Sequence, residues 1–111
     1  MRMLIKAAMP VETANAAMAN GTFGDTVRSI LAELKPEAAY FYEENGGRTA
    51  LMIADLADPS GIPAIAEPWF LAFNAKVEFH PAMTAEDLGK AMPDIERALG
   101  KYGARASAKR A

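Results

Sequence analysis

Apolar and polar residues change rhythm several times along this chain, and the changes mark its elements. Met3–Met9 is a short apolar run that Pro10 ends, as a strand would be. Val11–Asn20 is alanine-rich and predicts a helix, interrupted by Asn20-Gly21-Thr22-Phe23-Gly24. Asp25 is placed to cap a second helical piece, in which Val27, Ile30, Leu31 and Leu34 keep helical spacing until Pro36. Two strand-like runs follow, Ala38–Glu43 and Arg48–Leu56, on either side of Asn45-Gly46-Gly47. Those three residues supply the positive φ angles that a tight primed turn needs. Asp58-Pro59-Ser60-Gly61 is turn chemistry, with Ser60 available as an N-cap. Ile62–Phe73 predicts a helix that Pro68 is expected to break or kink near Ala64–Glu67. Ala75–His80 alternates as a strand. Thr84-Ala85-Glu86-Asp87 resembles a capping box, and the stripe Leu88, Met92, Ile95 and Leu99 predicts a final helix, bent by Pro93.

The element order β-α-β-β-α-β predicts an α+β, ferredoxin-like sandwich with an extra C-terminal helix, spanning residues 1–100. A two-residue turn fixes the faces of the central hairpin. Tyr40 and Tyr42 share one side with Leu51, Ile53 and Asp55, and the other side carries Ala39, Phe41, Ala50, Met52, Ala54 and Leu56. The second set is small and apolar, which suits helices packed close. The first would then look away from them, leaving an apolar patch that needs cover. Homodimerisation through the sheet faces is the simplest cover, by a two-fold.

Composition narrows the classes. With 111 residues, 51% apolar and 23% charged, the chain reads as one ordinary soluble domain. No apolar run approaches the roughly 18 residues of a membrane span, and the N-terminus lacks a secretory h-region, so a cytoplasmic location is expected. There is no cysteine, hence no thiol chemistry and no cysteine-based metal site, and no cofactor or metal is implied. Net charge is −2 overall, but Lys101–Ala111 holds four of the twelve basic groups and no acid, leaving −6 on the first hundred residues. An acidic body argues against nucleic-acid binding, and residues 101–111 read as a basic, flexible tail.

The run Glu67-Pro68-Trp69-Phe70-Leu71-Ala72-Phe73-Asn74-Ala75-Lys76-Val77-Glu78-Phe79-His80-Pro81-Ala82-Met83, followed by Glu86-Asp87-Leu88, resembles the dimeric α/β-barrel superfamily, and within it small uncharacterised bacterial domains. The resemblance covers roughly residues 3–100. It implies a dimeric α/β barrel with a ligand cleft between sheet and helices in each protomer. On that reading Met9, Tyr40, Trp69, Phe73 and His80 would bind a small organic molecule. His80, the only histidine, would relay a proton with help from Asp55 if the protein is a cofactor-independent monooxygenase or isomerase. Haem-degrading members use an Asn on the first strand with a later Trp and His; here Trp69 and His80 are present, but the first strand has Lys6 and Ala7 and no Asn. A third reading is a non-catalytic oligomerisation or structural protein whose cleft its own side chains fill.

Overall fold

The structure is a computed structural model that describes residues 1–104. It contains strands β1 (Arg2–Ala8), β2 (Ala38–Glu44), β3 (Gly47–Asp55) and β4 (Lys76–Pro81). Helices α1 (Val11–Ala19), α2 (Phe23–Leu34), α3 (Ile62–Phe73) and α4 (Ala85–Ala98) complete the main elements. The four strands form one sheet in the order β2-β3-β1-β4, every neighbouring pair antiparallel. β3 therefore lies between β1 and β2, and β1 between β3 and β4. The arrangement is compatible with a ferredoxin-like α+β fold.

The hairpin turn is Asn45-Gly46. Both residues have positive φ, 53° and 81°, and Glu44 pairs with Gly47 across the turn. Glu43 Oε2 accepts a hydrogen bond from the Gly46 amide at 2.8 Å, which holds the tip. This register sets the parity expected from sequence: Ala39, Ala50 and Met52 on one face, Tyr40, Leu51 and Ile53 on the other.

The core lies between the first face and the helices. Met3, Ile5 and Ala7 of β1 and Ala50, Met52 and Ala54 of β3 are buried there beneath Ile30, Trp69 and Phe73. Alanines at 7, 50 and 54 leave room for two large rings, so small strand residues and large helix residues are matched in size. Trp69 and Phe73 lie 5.9 Å apart between ring centroids, and Phe23 of α2 reaches within 5.4 Å of Phe73.

Several local expectations are corrected. Pro68 lies inside α3 and does not end it. The acceptor it deprives of a partner is the carbonyl of Ala64, an exposed residue near the start of the helix, where water can serve instead. α2 begins at Phe23, so Asp25 sits in its first turn and pairs with Arg28 without capping. Asp58, not Ser60, is the cap at the following turn: its carboxylate accepts from the Ser60 amide at 2.9 Å.

α4 begins on a complete capping box. Thr84 Oγ1 accepts from the Asp87 amide at 3.1 Å, and Asp87 Oδ2 accepts from the Thr84 amide at 3.0 Å. The helix continues into a π-turn over Leu99–Gly103, across the expected body–tail boundary. The remainder of the basic tail, residues 105–111, lies outside the described residues. No residue of α4 is buried. The helix projects from the body, and the chain extends 61 Å along its long axis with a radius of gyration of 19.1 Å, against about 13 Å for a compact domain of this length. No described helix is long and apolar enough to cross a membrane.

Candidate functional site

The face of the sheet turned away from α1–α3 collects most of the chain's organised polar side chains. Lys6 stands at its centre, on the central strand β1. Its ammonium donates to Glu44 Oε2 at 2.6 Å and lies 3.2 Å from Glu78 Oε2. Glu78 is the direct cross-strand neighbour of Lys6 on β4, whereas Glu44 comes from the far end of β2. The twist of the two-stranded hairpin carries Glu44 across the face to meet it. Tyr42 donates its hydroxyl to the other oxygen of Glu44 at 2.8 Å, and His80 Nε2 lies 3.5 Å from Glu78 Oε1. The cluster thus runs Tyr42–Glu44–Lys6–Glu78–His80 across the sheet.

Each shift within it has a named cause. The hydrogen bond to Lys6 is the main reason that the carboxyls of both Glu44 and Glu78 titrate below their ordinary range. The bonds to Glu44 and then Glu78 raise Lys6, and the bond to Glu44 raises Tyr42. A carboxylate with a lowered folded-state pKa contributes stability that is present above its unfolded value and lost as pH falls through the folded one. The protein should therefore lose stability on acidification below about pH 4.5, the ordinary value for both glutamates. In Lys6→Met the same acid limb should be shallower, because both carboxyls lose the Lys6 ammonium and Glu78 keeps only its longer contact to His80. Urea midpoints measured at intervals from pH 7 to pH 3 test this, and identical slopes in the two proteins would show that the cluster is not formed in solution.

Around the cluster the face is apolar. Leu4, Leu51 and Ile53 are half-buried, and Tyr40 is 62% exposed. At one end Arg2 makes a two-nitrogen contact with Glu37 at 2.9 and 3.0 Å, and the N-terminal ammonium bonds Asp55 at 2.8 Å.

The residues singled out from sequence fall on two sides of the sheet. Met9, Trp69 and Phe73 belong to the buried core on the helix side. Tyr40 and His80 lie on the open face, since Tyr40 pairs with Leu51 and His80 with Leu4. The sheet separates the two sets, so the five do not line one cleft. Asp55 shares the open face with His80 but lies two strands away, an offset of about 12 Å between Cα atoms from strand spacing and rise. Each has its own partner, the N-terminus for Asp55 and Glu78 for His80.

The space between sheet and helices is filled by Trp69, Phe73 and Ile5, all essentially inaccessible to solvent. A concavity of about 300 Å³ lies between α2 and the first half of α3, beside Ile30, Leu56, Ile65 and Pro68. One of about 550 Å³ flanks the hairpin beside Val11, Asn15, Phe41 and Arg48, and one of about 390 Å³ lies near Met9, Glu44 and Lys76. Among the described residues no three His, Asp or Glu side chains gather as a metal-binding group.

The Lys6 cluster itself was not singled out in the sequence. Its signal was parity: Lys6 and Glu78 alternate with the core-facing residues of their strands, and they become neighbours on the open face once β1 and β4 are set in register. The chain matches no known protein-family pattern, no curated protein and no solved structure.

Proposed function

We propose that the protein is a homodimer built by pairing the open sheet faces, in the manner of a dimeric α/β barrel, and that this pairing encloses a polar site for a small organic ligand. The observation that carries the reading is the uncovered face itself. Leu4, Leu51, Ile53 and Tyr40 form an apolar surface on a sheet whose other side is covered by helices over β1 and β3, and such a surface marks an interaction site. A second copy brings the same surface, so a two-fold satisfies both at once.

The Tyr42–Glu44–Lys6–Glu78–His80 cluster would then lie inside the closed assembly. Its ionised and hydrogen-bonding groups would fix a small polar or zwitterionic molecule, while Leu51 and Tyr40 supply apolar walls. His80, near the edge of this cluster, is the group positioned to move a proton there, which keeps a cofactor-independent monooxygenase or isomerase as the catalytic version of the same site. The filled space around Trp69 and Phe73 favours this open-face location over a cleft beneath the second half of α3. The same packing supports the third reading, a purely structural dimer.

Sedimentation at micromolar concentration tests the association: a species of at least twice the 11.9 kDa chain mass is expected, and a monomer would overturn the reading. Native mass spectrometry of the purified assembly separates the ligand-binding version from the structural one. A reproducible excess mass lost on denaturation supports a ligand; chain mass alone supports the structural dimer.

A further inference from the structure

We propose that the concavity between α1 and the β2–β3 hairpin is a binding site for a free α-amino acid with an apolar side chain. It lies on the helix side of the sheet, opposite the Lys6 cluster, and it does not depend on the sheet-face reading.

The helices cover β1 and β3 but stop short of β2, none of whose residues is buried. At the edge of that cover Val11 and Asn15 of α1 stand one helical turn apart. They border a concavity of about 550 Å³ whose other walls include Phe41, Glu43 and Arg48 of the hairpin. That volume falls within the ~300–1,000 Å³ of small-molecule sites. Two opposite charges stand in it without meeting. Glu43 and Arg48 are directly opposed across the β2–β3 ladder, where opposite charges attract. Yet each is turned to a neutral group of its own. Arg48 Nη1 donates to Asn15 Oδ1 at 2.9 Å, which ties the guanidinium to α1. Glu43 Oε2 accepts from the Gly46 amide at 2.8 Å, which ties the carboxylate to the turn. Among the described residues neither has an ion-pair partner.

This separated pair selects the class of ligand. The remaining N–H donors of Arg48 match a carboxylate, and the second oxygen of Glu43 can accept from an ammonium. A simple carboxylate would satisfy Arg48 but be repelled by Glu43. A simple amine would satisfy Glu43 but be repelled by Arg48. A free α-amino acid carries both groups on one carbon and answers both charges at once, with no net charge added to the site. The walls beside the charges set its side chain. Phe41 shares the face of Glu43 two residues back along β2, with the small Ala50 opposite it, and Val11 borders the same space. Phe41 and Val11 are 51% and 49% exposed, so an apolar side chain laid between them would take both out of water.

Titration of the isotope-labelled full-length protein with L-phenylalanine and with L-leucine, followed by amide chemical shifts, tests the site. Saturable shifts are expected at Asn15, Phe41, Gly46 and Arg48. Phenylpropionate and phenethylamine, each lacking one of the two charged groups, should bind about ten- to a hundred-fold more weakly than L-phenylalanine, the loss of one charge-assisted hydrogen bond. Arg48→Gln and Glu43→Gln should weaken L-phenylalanine by a similar factor. The glutamine at 43 keeps an oxygen for the Gly46 amide, so the turn should survive, and circular dichroism checks that both variants fold. The proposal fails if neither amino acid gives saturable shifts, if either analogue binds as tightly as L-phenylalanine, or if the shifts fall around Lys6 and Glu78 instead. Binding should persist in an Ile53→Glu background, where sheet pairing is weakened. Its loss there would overturn a site complete within one chain, whereas a monomer that still binds would overturn only the sheet-face reading.

Discussion

Ile53→Glu is expected to weaken sheet-face association by about 30- to 1,000-fold, the effect of about 2–4 kcal/mol lost at a central buried position. Ile53 lies between Leu4 and Ala38 in register on the open face, one row from the Arg2–Asp55 pair. In the separate chain the position is only half-buried, so a glutamate there can reach water and should leave the protomer folded. In the paired state the same carboxylate would be taken out of water, the nearest cation, Arg2, being already engaged by Glu37, and two-fold symmetry would do this twice. The weight-average mass in sedimentation should therefore fall while the circular dichroism spectrum stays the same. An unchanged mass at matched concentration would mean that the open face is not an interface.

The largest stability effect is expected at Trp69. It is fully buried between α3 and the sheet, in ring contact with Phe73, and its indole N–H has no hydrogen-bond partner. Trp69→Ala should cost about 3–5 kcal/mol through lost burial and the cavity left behind. That is a large part of the 5–15 kcal/mol that typically separates folded from unfolded domains. Trp69→Phe should cost far less, about 1 kcal/mol, because the smaller ring gives up packing but also removes a buried donor that forgoes its bond to water. Urea unfolding followed by far-ultraviolet circular dichroism measures both, since either change removes the only tryptophan. If Phe proves as costly as Ala, the indole N–H has a partner in solution. If Ala costs less than 1 kcal/mol, α3 is not packed as described.

Most of the architecture was legible because it is written in local rules. The parity of the hairpin followed from one turn: once Asn45-Gly46 takes two positive φ values, every residue from Ala38 to Asp55 is assigned a face. The capping box at Thr84 and the helical stripe behind it were equally local. Pro68 was harder to read. It lies inside α3 as Pro93 lies inside α4, because the carbonyls they leave unpaired, on Ala64 and Gly89, belong to exposed residues and can be satisfied by water.

The site was less legible than the fold, for a physical reason. Grouping Met9, Tyr40, Trp69, Phe73 and His80 required knowing which strands are neighbours and which way each alternation starts. Tyr40 and His80 obey the parity of the open face, Trp69 and Phe73 the inward face of α3, and a sheet stands between them. The Lys6–Glu78 pair, by contrast, depends only on register between the first and last strands, which are some seventy residues apart in sequence. Pairings at that separation leave no trace in local periodicity.

That strand order also governs how the chain is made. β1 is synthesised before both of its neighbours, yet it is an inner strand, with β3 on one side and β4 on the other. The β2–β3 hairpin can close on itself within about 1–10 μs of emerging. β1 cannot do so: at synthesis rates of about 5–20 residues per second, its last partner arrives some 4–14 s after it. Met3-Leu4-Ile5 must pass that interval without its final neighbour. β1, paired on both edges in the finished sheet, thus waits longest for its last neighbour during synthesis, and slowing translation between residues 8 and 76 would lengthen its exposure.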